Sequence, residues 1–214
     1  ASADTGGAAV RIPRQGKLFT IRNANFIANT AASDSGRVLG GALSVSGTVD
    51  GLITNPVFIG NGARGRSADS AFGGAVYTEK PLTFSIDGKQ NAVFSGNKAN
   101  GRLNDIHNLG ALNVSGNLTL DGGISGNGTT TFARGSQLTV KTGTTTISNR
   151  VINNGATLNL TFDNGFSGRY ELITDGGSLD REFSIAGNNL YNITGIENGI
   201  YNVNKKSAAE VSTA

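Results

Sequence analysis

The residues able to do chemistry in this sequence are few and dispersed. Its 214 residues include 15 acidic and 18 basic side chains, a single histidine and no cysteine. Asp50, Asp87, Asp121 and Asp175 each precede a glycine, while Asp105, Asp163 and Asp180 stand in other contexts. Two carboxylates held about 5–9.5 Å apart would be the machinery of glycoside hydrolysis. An Asp-Gly step is also a common turn dipeptide, so these four aspartates read as corner residues. His107, within Asn104-Asp105-Ile106-His107-Asn108, has no nucleophile motif beside it and reads as a surface or corner residue.

Cofactor chemistry finds no better footing. The stretch Asp121-Gly122-Gly123-Ile124-Ser125-Gly126-Asn127-Gly128 offers one carboxylate, where a hard cation wants several oxygens. No Gly-Lys-Ser/Thr ending follows a glycine run, so a phosphate cradle has no support. Without cysteine there is no disulfide scaffold, thiolate zinc site or cysteine nucleophile. The sequence therefore predicts a non-enzymatic protein with no catalytic residue, metal or cofactor.

Charge is uneven. Residues 1–66 carry seven Lys/Arg against three Asp, and the basic stretch runs from Arg11 through Arg14 and Lys17 to Arg22. Such a stretch suits acidic glycans or anionic lipids, but edge protection is the simpler reading. No basic stripe interleaved with aromatics is present, which argues against a nucleic-acid partner. No run of eighteen apolar residues exists, so no transmembrane helix is expected. Ala1-Ser2-Ala3-Asp4 lacks a basic, apolar leader, and any signal peptide is expected to have been removed already.

The elements that must carry these residues are strands. Gly, Asn, Thr and Ser make up 95 of the 214 residues, a composition that penalises helices throughout. Gly-Gly-Ala recurs as Gly6-Gly7-Ala8, Gly40-Gly41-Ala42 and Gly73-Gly74-Ala75. Phe-x-x-Asn recurs in the same order, with Phe26 and Asn29, Phe58 and Asn61, then Phe94 and Asn97. Alternating runs such as Ala42-Leu43-Ser44-Val45 and Leu82-Thr83-Phe84-Ser85-Ile86 lie between them, and continue after residue 101 as Leu118-Thr119-Leu120 and Leu138-Thr139-Val140.

Strands this short need neighbours above and below, which a parallel β-helix supplies. Roughly 20–25 residues per coil would give about nine coils stacked at a strand spacing of about 4.8 Å. The phenylalanines would point inward, and Asn29, Asn61 and Asn97 would bond at corners. A β-sandwich also explains the alternation, though not the phased motifs. Arg37–Gly40 and Ala63–Phe72 read as the longest polar insertions. The solenoid is expected to span 1–165, with a tyrosine-bearing cap over 166–204 and a linker or tail at 205–214.

At Gly40-Gly41-Ala42-Leu43, Gly73-Gly74-Ala75-Val76 and the three Phe-x-x-Asn copies, the chain resembles the passenger domains of polymorphic outer-membrane proteins and related autotransporters. The resemblance covers residues 6–97 best. It implies a right-handed parallel β-helix, secreted to the extracellular cell surface, that acts in adhesion or surface structure. Its implied partners are a protein or glycan of a host or neighbouring cell. Self-association into an extracellular fibre or matrix is the alternative, since open strand edges are templates for stacking. A polysaccharide-cleaving enzyme is the third reading.

Overall fold

A computed structural model describes residues 4–12, 18–46, 50–79, 83–163 and 165–212. The basic residues Arg14 and Lys17 lie outside the described residues. The protein is all-β, built mainly from short parallel strands. Several strands that alternate apolar and polar bury one face only, whereas Leu43–Val45 and Val76–Thr78 are buried on both. In Ala111–Leu120, Leu112, Val114, Leu118 and Leu120 are buried while Asn113 and Thr119 point outward. Period-two patterning thus sets which face meets the core.

Strands pair with partners a repeat away in sequence rather than with their chain neighbours. In one sheet Val10–Ile12, Leu43–Val45, Val76–Thr78, Ile106–Asn108 and Ile124–Ser125 lie side by side, all parallel. Parallel bridges carry this ladder on from Ile124 to Ile147 and then to Ile173. Seven positions therefore align: Val10, Leu43, Val76, Ile106, Ile124, Ile147 and Ile173. A twelve-stranded sheet, curled as a half-barrel, provides two further ladders. One runs from Phe19–Arg22 to Ser178–Leu179, the other from Asn25–Ile27 to Ser184–Ile185. Parallel pairing thus runs well past residue 165.

Two expectations change. Nine stacked positions at 20–25 residues each do not occur: the early steps are 33 residues, as between Val10 and Leu43, and the step from Ile106 to Ile124 is 18. The extra length has a cause. Arg37–Gly40 and Ala63–Phe72 are not wholly polar protrusions: Val38, Ala63 and Ala71 join Ala31 in a second, smaller core, while residues 66–69 stay exposed. Val38–Leu39 pairs with Ala71–Phe72, and Thr30–Ala32, Gly62–Arg64 and Lys98–Ala99 form a parallel side sheet. Once that side core ends, after the Asn100-Gly101 turn, the repeat shortens.

Residues 168–205 add a three-stranded antiparallel sheet of Gly168–Glu171, Ile200–Lys205 and Tyr191–Gly195. Tyr170, Tyr191 and Tyr201 are buried in it. It packs on the last parallel strands, with the Phe162 and Tyr191 rings stacked at 4.0 Å. The Tyr170 hydroxyl donates to the Thr145 carbonyl at 2.6 Å. Removal from water raises the Tyr170 phenol above its ordinary value, so it stays a donor. Beyond the sheet, Ser207 and Glu210 bond reciprocally and start the short helix Ala208–Ser212. No helix among the described residues is long and apolar enough to cross a membrane.

Candidate functional site

The repeated motifs converge on one corner of the fold. Phe26, Phe58 and Phe94 are in register on adjacent parallel strands. Their rings stack at 4.5 Å and 4.7 Å between centroids, nearly parallel at 6° and 17°. Phe58 and Phe94 are fully buried and Phe26 is 7% exposed. The strand spacing itself brings identical rings into contact, so one residue type repeated in phase makes a continuous apolar column. Beyond Phe94 the column continues with Leu120, Val140 and Leu160.

Three residues after each ring, asparagines form a second column. Asn61 Oδ1 accepts from both the backbone N and the Nδ2 of Asn29, each at 3.0 Å. Asn97 Oδ1 accepts from the same two groups of Asn61, at 3.0 and 2.9 Å. The Nδ2 of Asn61 also donates to the Phe26 carbonyl at 2.9 Å, and that of Asn97 to the Phe58 carbonyl at 3.0 Å. Each amide therefore ties the corner of its own repeat to the one before. Buried amides without such partners would be costly.

The ladder ends on a carboxylate. Asn97 Nδ2 donates to Asp105 Oδ1 at 2.8 Å, and Asp105 Oδ2 accepts from the backbone of Asp121, Gly122 and Gly123. Asp105 is fully buried. Burial pushes its carboxyl up to about 7, against the pull of these hydrogen bonds toward the charged form.

Gly-Gly-Ala forms the facing corner. Gly40 and Gly73 have positive φ, of 78° and 67°. A Cβ on Gly41 would lie 2.1 Å from the Gly74 carbonyl oxygen, and one on Gly74 would lie 2.3 Å from the Lys98 nitrogen. The first glycine is thus demanded by the turn and the second by close approach to the Phe-x-x-Asn corner. Ala42 and Ala75 are fully buried behind them. The first copy is displaced by one residue: Gly7, Ala8 and Ala9, not Gly6-Gly7-Ala8, donate to the Gly40, Gly41 and Ala42 carbonyls. In the repeat after Ala75 the same place is taken by Asn104 and Asp105, whose carbonyls accept from Gly74 and Ala75.

No family model, curated protein or solved structure matches this chain.

One element of the corner is invisible to the two motifs. Asn23 and Asn55 both have positive φ, and Asn55 Nδ2 donates to Asn23 Oδ1 at 3.1 Å. They stand three residues before Phe26 and Phe58, so the fuller pattern is Asn-x-x-Phe-x-x-Asn. Asn91 holds that place before Phe94, but a register shift between Gly88 and Ala92 moves this segment, and Gln90 donates its backbone N–H to Asn55 instead.

The residues weighed for catalysis are spread over the fold. Asp87 and Gly88 lie within the strand Thr83–Ser95 and Gly51 begins Gly51–Thr54, so neither Asp-Gly step is a free turn. Asp121 accepts from Ser95 Oγ and the Gly96 nitrogen, Asp163 pairs with Lys141 at 2.8 Å, and Asp180 accepts from the Asn153 nitrogen. Asp175, with φ 51°, is at a turn. The His107 ring lies between Phe72 and Tyr77, with Nδ1 2.8 Å from Ser125 Oγ. Desolvation lowers its pKa to about 4, which keeps it neutral. Among the described residues no three His, Asp or Glu gather where they could hold a metal ion.

Proposed function

We propose that the stacked repeats are the coils of a right-handed parallel β-helix, and that the protein acts at the cell surface in attachment or surface structure. The supporting observation is the in-register column of Phe26, Phe58 and Phe94 beside the ladder of Asn29, Asn61 and Asn97. Repetition of one corner makes an extended scaffold whose outward residues are free to vary, which suits contact with a large partner. The partner in this reading is a protein or glycan of a host or neighbouring cell, met outside the producing cell. Asp105, Asp121 and Asp180 are engaged in holding corners, which supports a binding role over a catalytic one. Labelled protein should bind intact cells saturably, with unlabelled protein competing. Absence of such binding, with turnover of a polysaccharide by the purified chain, overturns this reading in favour of an enzyme.

A second reading is self-association. Val10–Ile12, Phe19–Arg22 and Asn25–Ile27 each have a parallel partner on one side only among the described residues. Unpaired edges of this kind invite pairing with a second copy. Ser178–Leu179 and Ser184–Ile185 likewise have one parallel partner each among the described residues, so both an edge-to-edge dimer and a longer stack fit this reading. Sedimentation across a wide concentration range separates a dimer from a monomer.

A further inference from the structure

A glycine-lined notch on the side sheet carries two cationic side chains, Arg64 and Lys98, that no carboxylate pairs with among the described residues. Thr30, Gly62 and Lys98 are neighbours across three parallel strands. With Arg64, Gly60, Gly96, Gly101 and Asn61 they line a cavity of about 120 Å³. A Cβ on Gly60 or Gly101 would meet no atom within 4 Å, so the glycines leave open space over the floor. Arg64 and Lys98 are exposed, and neither makes an ion pair among the described residues. The nearby carboxylate of Asp121 is bound to Ser95 and to the Gly96 nitrogen.

The charge extends beyond the notch. At the tip of the hairpin Lys98–Ala99 and Arg102–Leu103, Asn100 and Gly101 both have positive φ, a two-residue turn. Asn100 accepts from the Gly65 nitrogen at 2.7 Å and donates to the Ser67 carbonyl. This bonding ties the hairpin tip to residues 65–67, next to Arg66, which is exposed and makes no ion pair among the described residues. No aromatic side chain lines the notch, so it offers no platform for stacking a nucleobase.

We propose that this notch is an anion subsite that holds a sulfate or carboxylate group of an acidic polysaccharide. Lys98 and Arg64 supply charge-assisted hydrogen bonds, Thr30 a hydroxyl, and Gly62 the room for the group to enter. Arg66, two residues after Arg64 and also exposed, supplies a further cation for the next charged group, which favours a polymer over a lone ion. The site names the partner class within the attachment reading and rests on it for its biological setting.

Binding of the full chain to dextran sulfate, to unsulfated dextran and to inorganic sulfate tests the site. The sulfated polymer should bind, the unsulfated one should not, and inorganic sulfate should compete. Replacing Arg64→Gln and Lys98→Gln together should weaken polymer binding by about tenfold or more. Gly62→Ala should also weaken it with every cation in place, because the added methyl enters the notch 3.5 Å from Thr30 Oγ1 without displacing backbone. Arg134→Gln removes one exposed charge elsewhere and should leave binding within about twofold.

Equal losses for the notch pair and for a pair of distant exposed arginines, Arg134→Gln with Arg181→Gln, would reduce the effect to net charge and overturn the subsite. So would wild-type binding by Gly62→Ala, or binding of anionic vesicles or single-stranded DNA without the polymer. Cell binding that survives in the notch variants topples the subsite and leaves attachment standing. Polymer binding without any cell binding does the reverse.

Discussion

The Nδ2 of Asn97 and the Oδ1 of Asp105 meet at 2.8 Å inside the protein, joining the last amide of the asparagine ladder to a fully buried carboxylate. The contact marks the change from long repeats to short ones. Below it, repeats carry the side core and are stitched by asparagines. Above it, Asp105 reaches the backbone of Asp121–Gly123 and gathers the next corner.

Asp105 and His107 should give opposing pH dependences that nearly cancel. The folded carboxyl is raised from 3.8 to about 7, so its contribution is complete at low pH and is lost as pH rises through about 7. The folded imidazole is lowered from 6.5 to about 4, so its contribution is present above 6.5 and is lost as pH falls through about 4. Between those limits one proton is gained and one lost on folding. Thermal melts of the wild type should therefore vary little across that window. Asp105→Asn should then become more stable as pH rises, and His107→Gln less stable. Parallel profiles for the two variants would contradict this.

The phenylalanine column should respond most at its centre. Phe58→Ala should lower the unfolding free energy by about 3–5 kcal/mol, since two ring contacts and a fully buried side chain are lost. Phe26→Ala should cost less, because its ring stacks on Phe58 alone among the described residues. Chemical denaturation of the two variants gives the comparison.

In the asparagine column, Asn61→Ala leaves the backbone N–H of Asn29 and the Phe26 carbonyl without the amide they bond. A loss of about 2–3 kcal/mol is expected. Asn29→Ala removes one donor at a partly exposed position and should cost about 1 kcal/mol. Hydrogen exchange at the Asn29 amide should accelerate in Asn61→Ala.

Gly74→Ala and Gly62→Ala separate two kinds of glycine. The first drives a methyl to 2.3 Å from the Lys98 nitrogen and should destabilise by about 3 kcal/mol or more. The second places its methyl at ordinary contact distance and should leave the melting temperature within a few degrees.

The sequence by itself determined the strand-rich class, the inward face of runs such as Leu118–Leu120 and Leu138–Val140, and the phased repeat of phenylalanine and asparagine. These follow from local rules: helix-poor composition, period-two alternation, and the tolerance of Gly and Asn for positive φ. Asn23 and Asn55 are also legible in the sequence, three residues before Phe26 and Phe58. What only the tertiary structure decided concerns residues whose meaning depends on a neighbour a repeat away. Gly7 rather than Gly6 aligns with Gly40 because backbone pairing, not tripeptide identity, sets the register. Arg37–Gly40 carries a polar start, yet Val38 is buried because residues 62–72 fold against it. Asp105 has no motif of its own. It is placed where Asn97, Asp121 and the following glycines converge, and only stacking brings their donors to one carboxylate.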